Sequence, residues 1–226
     1  MQGQVVVVTG AQGALGRVVA DLAAARGARV ASIDFAPSQA SGTSDRIDLG
    51  GMDLTDPARA KQAIDAAAAH FGRLDALVNI AGGFAYETVA EGDPQTWQRM
   101  YALNVTTTLN AARAAIPYLA ASPAGRIVNV GANGALKAGA GMGAYAASKA
   151  GVHRLTEALA AEWKGKITVN AVLPSIIDTA ANRASMPDAD FATWVRPQEL
   201  AEIILFLASA AASAVTGALI PVVGRV

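Results

Sequence analysis

Short runs of valine and isoleucine return along this chain at regular intervals, each followed by a longer alanine-rich stretch. The runs are VVVVT (5–9), RVASID (29–34), LDALVNIAG (74–82), GRIVNVG (125–131), KITVNAVLP (166–174) and ALIPVV (218–223). They are apolar throughout instead of alternating with polar residues, which predicts strands covered on both faces. Helices are expected near 14–26, 57–71, 95–120, 144–163 and 197–209, with a weaker strand around 46–53. The segment TDPARA starts the second helix, with Asp56 or Thr55 as cap and Pro57 at the first helical position. Strand and helix taking turns in this way means parallel strands joined by helical crossovers. The expected fold is α/β: one doubly wound, mainly parallel sheet of seven strands with helices on both faces, over residues 1–226 as a single domain. The stretch SIIDTAANRASMPDADFATWVRP (175–197) breaks the alternation and reads as an ordered excursion, such as a substrate lid.

Composition removes several functions. Formal net charge is +0 and no basic run occurs, so neither nucleic acid nor an anionic membrane is an expected partner. There is no cysteine, which rules out disulfides, thiol catalysis and thiolate metal sites. The opening MQGQVVVVTG has no charged n-region and runs straight into a strand, unlike a signal peptide; with no apolar run of membrane-spanning length, a cytoplasmic domain is expected. His70 and His153 are too few and too far apart for a metal site, and surface or helix-packing roles are assigned to them. Trp97 reads as the anchor of a helix start.

Two stretches carry chemistry. In TGAQGALGR, Gly10, Gly13 and Gly16 bridge the end of the first strand and the start of a helix. Such a turn lets backbone N–H groups and the positive helix end face a pyrophosphate. The second strand ends in Asp34, close to the spacing at which a carboxylate accepts hydrogen bonds from the adenosine ribose. No Arg or Lys stands at 11–16 or 35–36 to hold a 2′-phosphate, so the expected cofactor is NAD(H). In AYAASKAG (144–151), Tyr145 and Lys149 lie four positions apart and share one helix face. Taken alone, that pair is either a core tyrosine with a lysine stem beside it or a tuned acid–base.

With these motifs the chain resembles the short-chain dehydrogenase/reductase family, over nearly its whole length. TGAQGALG resembles the opening motif, GMDLTD the acidic signal at the adenine through Asp53, and VNIAG the strand-four motif. Asn104 in MYALNV matches the active-site asparagine, YAASK the Tyr-x-x-x-Lys pair, and NAVLPSIIDT the segment that meets the nicotinamide. The resemblance implies a Rossmann-type fold and a nicotinamide dinucleotide. It also implies contacts from Gly10, Gln12, Gly13, Ala14, Leu15, Gly16, Asp34, Phe35, Asp53, Leu54, Ala81, Gly82, Tyr145, Lys149, Pro174, Ile177 and Thr179. Tyr145 would move a proton while the nicotinamide moves a hydride; Lys149 would lower the pKa of the phenol and bond the nicotinamide ribose; Asn104 would hold a water in a proton relay.

The chain departs from the family pattern at three places. The middle glycine comes one residue early, Ser175 stands where many members have glycine, and Ala132 occupies the position of the serine that bonds a substrate carbonyl. Asn133 lies next to it. One branch, the dihydropteridine reductases, shares the missing serine; the likeness runs through GALG, VASID, AGG, GAYAASKAGVH and especially NRASMPDADFATW (182–194). It implies NADH-dependent reduction of a quinonoid dihydropterin-like heterocycle. The alternatives are a carbonyl or alcohol oxidoreductase, such as a 3-oxoacyl reductase, with Asn133 or water in place of the serine, and a non-catalytic dinucleotide sensor. Trp194, Phe191 and Met142 either line the substrate pocket or pack the lid and helix start. Ser148 is read as helix packing. A small-molecule substrate is expected, and the alanine-rich faces of 95–120 and 144–163, with the resemblance, imply a homodimer or homotetramer.

Overall fold

The computed structural model describes residues 1–37 and 42–225. Its strands are β1 (Val5–Thr9), β2 (Arg29–Ile33), β3 (Gly42–Thr43), β4 (Arg46–Leu49), β5 (Ala76–Asn79), β6 (Gly125–Val130), β7 (Ile167–Pro174) and β8 (Leu219–Val222). They form one sheet in the order β3-β4-β2-β1-β5-β6-β7-β8. Seven strands run parallel, as the alternation requires. The eighth, β3, is a two-residue antiparallel edge on β4 that the sequence reading did not foresee. The expected strand at 46–53 stops at Leu49, and the run at 74–82 is extended over Ala76–Asn79 only.

Side chains on successive strand residues point to opposite faces, and the valines of β1 show why the strand is apolar throughout. Val6 and Val8 join a core with α1 (Ala14–Ala25) and α7 (Pro197–Leu207), through Val19, Leu200 and Ile204. Val5 and Val7 join a second core with α2 (Pro57–Phe71), α4 (Thr107–Ala121) and α5 (Gly143–Glu162), through Ile64, Ala111 and Leu159. All four valines are fully buried. Helix α2 begins as its sequence dictates: the Asp56 carboxylate accepts from the N–H of Ala58, at 2.7 Å, and of Arg59, ahead of Pro57.

The helix expected over 95–120 is divided. Helix α3 (Pro94–Tyr101) passes into a π-helical turn at Ala102–Thr106 before α4 resumes. Asn104 lies in that turn, a feature frequent at functional sites. Helix α5 packs closely on the turn, and a Cβ on Gly151 would come within 2.9 Å of Val105. Helix α6 (Ala180–Ser185) and a 3₁₀ turn at Phe191–Thr193 occupy the excursion at 175–197. Chain order runs outward from β1 to β2 and β4, then returns to β5 on the other side of β1. A crevice outside the carboxyl ends of the strands opens at this reversal.

Candidate active site

The glycine-rich turn leaves β1 at that reversal. Gly10 has φ +65°, and a Cβ there would stand 2.8 Å from the Ala81 nitrogen; a Cβ on Gly16 would stand 2.0 Å from the Gly10 carbonyl. Both positions therefore need glycine. Gly13 caps α1, no side chain bonds the first-turn amides, and Ala14 is exposed. The open helix end beside a side-chain-free cradle fits a pyrophosphate; Leu15 points into the core and is 6% exposed.

Asp34 follows β2. Its carboxylate accepts from the Gln12 N–H at 2.8 Å and the Ala36 N–H at 2.9 Å. Phe35 stands in solvent beside it. Met52 donates its N–H to the Asp34 carbonyl, so the Asp53–Leu54 loop adjoins this acid. Asp53 holds Thr55 through that residue's N–H and hydroxyl, and Asn110 of α4 donates to the carbonyls of Leu54 and Thr55. A groove of about 370 Å³ beside Asp34 is also lined by Arg17 and Arg46. Both cations escaped the sequence reading. Each is engaged: Arg17 donates to the Gln12 carbonyl at 3.2 Å, and Arg46 pairs with Asp21 at 2.9 Å and Asp48 at 3.5 Å.

On the far side of the reversal, Ile80 and Ala81 donate their N–H groups to the Thr9 hydroxyl. Gly82 fits between Asn104 and Lys149: a Cβ there would lie 2.4 Å from Asn104 Oδ1 and 3.5 Å from Lys149 Nζ. The Asn104 side chain is completely buried and bonded through both its oxygen and its nitrogen. Its Oδ1 accepts from the Gly83 N–H, and its Nδ2 donates to the Gly83 carbonyl and to Ser148 Oγ. Ser148 in turn donates to the Tyr145 carbonyl at 2.7 Å. The Asn104 side chain thus ties the post-β5 loop to α5, and Ser148 is the receiving end of that tie.

Tyr145 and Lys149 lie one turn apart on α5. Lys149 is 6% exposed and donates to the Val130 carbonyl at 2.8 Å. Burial lowers its pKa to about 8 and pushes the Tyr145 phenol up to about 12. The expected lowering of the phenol by Lys149 is thus reversed, because desolvation dominates and the ammonium is turned to a backbone carbonyl. The Phe84 ring meets the Tyr145 ring edge-on, with centroids 5.0 Å apart. Phe84 is 61% exposed, and a single aromatic in a loop gave no sequence signal for this contact.

Ala132 follows β6, and its N–H donates to His153 Nε2 at 3.3 Å. Of the surface and helix-packing roles assigned to His153 the second holds: the ring is 2% exposed and packs α5 against Gly131 at the end of β6, with this bond in addition. Asn133 is half-buried at the start of a 3₁₀ turn, Met142 is half-buried at the cap of α5, and Trp97, in the first turn of α3, sets its partly exposed ring against Gly143 at the start of α5. Pro174 ends β7. Ile177 forms a bridge with Val195, and Thr179 caps α6 by accepting from the Asn182 N–H, so the base of the lid is tied down. Trp194 is only 2% exposed and stacks at a tilt on Phe191, 4.8 Å between centroids; it anchors the lid and leaves little surface for a ligand. Arg183 lies over the other ring, Phe191, and pairs with Asp178. Among the described residues no cluster suited to a metal ion occurs, and no helix is long and apolar enough to cross a membrane.

The short chain dehydrogenase family profile matches residues 4–190. A 3-oxoacyl-[acyl-carrier-protein] reductase of Thermotoga maritima is 30% identical over 240 residues, covering 99% of this chain and 98% of the relative. The aldohexose dehydrogenase of Thermoplasma acidophilum, solved ligand-free, superposes with a TM-score of 0.89 at 29% identity, covering 99% of this chain and 94% of the other. Carveol dehydrogenase of Mycobacterium avium, solved in complex with NAD, gives 0.87 at 28% identity, covering 99% and 97%. With the glycine cradle, the strand-end acid and the Tyr145–Lys149 pair all on one edge of the sheet, the chain belongs to the short-chain dehydrogenase family and is an oxidoreductase using a nicotinamide dinucleotide.

Proposed function

We propose that the protein is an NADH-dependent reductase of a flat, conjugated, electron-poor heterocycle of the quinonoid dihydropterin type, with Tyr145 as proton donor. The nicotinamide, when bound, supplies the hydride. The observation that carries the reading is the pairing of a protonated Tyr145 with Ala132. The Tyr145 hydroxyl holds its proton at neutral pH, as any ordinary phenol does, and so is present as the donor that reduction needs. The rise of its pKa to about 12 on burial makes it a weaker acid and is not what favours donation. Ala132 offers no hydroxyl, and its N–H is committed to His153. A carbonyl oxygen that gains charge benefits from a second donor, whose loss typically costs ~3 kcal/mol. A quinonoid ring spreads that charge over several nitrogen and oxygen atoms, so one donor suffices. The exposed Phe84 ring beside Tyr145 supplies an aromatic surface for a planar substrate. The likeness of residues 182–194 to the dihydropteridine reductases supports the same class.

Asp34 supports NADH over NADPH: its carboxylate would oppose a 2′-phosphate, and of the two cations beside it Arg46 is paired with Asp21 and Asp48. Residues Gly10, Gly13, Gly16, Asp53, Ala81, Gly82, Pro174, Ile177 and Thr179 line the same strand-end edge and would hold the cofactor.

A second reading is favoured by one observation. Asn133 is half-buried, and its side-chain amide makes no hydrogen bond among the described residues, so it can serve a carbonyl in place of the serine. A 3-oxoacyl or other carbonyl reductase then results. NADH oxidation followed spectrophotometrically against quinonoid dihydropterin, a 3-oxoacyl thioester and a sugar panel separates the two. Turnover confined to the thioester or sugars rejects the heterocycle reading. We propose assembly as a homodimer or homotetramer, on the small-residue faces of α4 and α5; light scattering at micromolar concentration tests it.

A further inference from the structure

We propose that His153 is a positioning residue of the active site: by accepting the Ala132 N–H it fixes the strand-end segment Gly131–Asn133 against α5, in register with Tyr145 and Lys149. The inference rests on Tyr145 being the proton donor, but on neither substrate class.

Tyr145, Lys149 and His153 follow one another at intervals of four along α5, so they form a single row on one helix face. The row meets the end of β6 at two backbone groups. Lys149 Nζ donates to the Val130 carbonyl at 2.8 Å, and two residues later the Ala132 N–H donates to His153 Nε2 at 3.3 Å. Between these bonds, Gly131 donates its N–H to the Val172 carbonyl of β7. All three backbone groups at this corner are therefore bonded, two of them to side chains from the row that carries the phenol.

Gly131 gives an independent sign of the same contact. A Cβ there would stand 2.5 Å from His153 Nε2 and 2.7 Å from Cδ2, so the glycine admits the ring. The neighbourhood is closed: His153 is 2% exposed and Ala132 4%. Without the imidazole acceptor the Ala132 N–H is buried and unpaired, a state the chain relieves by shifting the segment. That segment carries Asn133 and the position from which the family's serine would act. The acceptor role requires a bare Nε2, so the neutral ring carries its proton on Nδ1. Burial, with Arg154 and Lys149 nearby, lowers the His153 pKa to about 4 and keeps the ring neutral at physiological pH.

The test compares His153→Leu, which fills space without an acceptor, with His153→Gln, whose amide oxygen reaches as far as Nε2. In His153→Leu, exchange of the Ala132 amide proton is expected to speed up ~10-fold or more, as its hydrogen bond is lost. NADH affinity, read by fluorescence titration, stays unchanged, while kcat falls ~10- to 100-fold with little change in KM, the size of effect a small misplacement produces. His153→Gln restores protection and kcat to within ~3-fold. Equal loss in both variants assigns the effect to ring packing and overturns the proposal, as does unchanged protection and kcat in His153→Leu. The wild-type imidazole ¹⁵N spectrum at neutral pH gives a reading that needs neither a variant nor a substrate: a bare Nε2 supports the clamp, and a protonated Nε2 overturns it. Absence of turnover by the wild type on the whole panel would reject the proposed function; the amide exchange and the tautomer would still decide the role of His153.

Discussion

Replacing Lys149 with methionine should change how stability depends on pH, in a direction set by the burial of its ammonium. The ammonium is 6% exposed, with one backbone carbonyl as partner, and its pKa drops from 10.5 to about 8 on folding. Below pH 8 both folded and unfolded chains hold the proton, and the folded state bears the full desolvation cost, about 3 kcal/mol for this shift. As pH rises past 8 the folded chain releases the proton before the unfolded chain does, so wild-type stability rises with pH. Between pH 7 and 10 the wild type should gain ~2–3 kcal/mol relative to Lys149→Met. Loss of the bond to the Val130 carbonyl adds a constant offset and leaves the slope intact. Tyr145 and all other groups are common to both proteins and cancel to first order. Urea unfolding followed by tryptophan fluorescence at intervals over this range measures the difference. A gap that stays constant from pH 7 to 10 would refute the account of Lys149 as a desolvated ammonium. The same variant should lose turnover, because the bond that holds the Val130 carbonyl at the end of β6 to the helix face carrying Tyr145 is gone.

Asp34→Ser should raise the efficiency ratio of NADPH to NADH by at least ~10-fold, since a repulsive carboxylate is replaced by a donor; steady-state kinetics with both cofactors checks this, and an unchanged ratio would show that Asp34 does not discriminate. Gly82→Ala puts a Cβ 2.4 Å from Asn104 Oδ1 and should destabilise the fold by ~1–3 kcal/mol, as overpacking of a filled site does. Thermal unfolding reads it directly.

Much of this architecture was legible because it is written locally. Gly10, just past the end of β1, and Gly16, in the first turn of α1, stand where side chains would collide, and Tyr145 and Lys149 are placed on one face by helical pitch alone. What the sequence concealed depends on distant partners. The π turn at Ala102–Thr106 inserts a residue into the helix without any glycine or proline to mark it. Phe84 reaches Tyr145 from a loop sixty residues away in the chain, and His153 meets Ala132 only after α5 docks on β6. Trp194 read equally as substrate wall or lid packing beside Phe191; the bridge between Ile177 and Val195 draws its neighbour down and the ring is buried. The direction of the Tyr145 shift also escaped local reading: the spacing of Tyr145 and Lys149 suggested a lowered phenol, and burial, which only the packed structure reveals, raises it.

The central claim is that Tyr145 gives the proton that accompanies hydride transfer. Tyr145→Phe keeps the ring and its edge-on contact with Phe84 and deletes only the hydroxyl. With enzyme in excess over NADH and the substrate found in the panel, single-turnover oxidation of NADH should slow by ~10²- to 10⁴-fold, the range of a lost general acid, while NADH binding is retained. A rate within ~3-fold of wild type, well below that range, would contradict the mechanism.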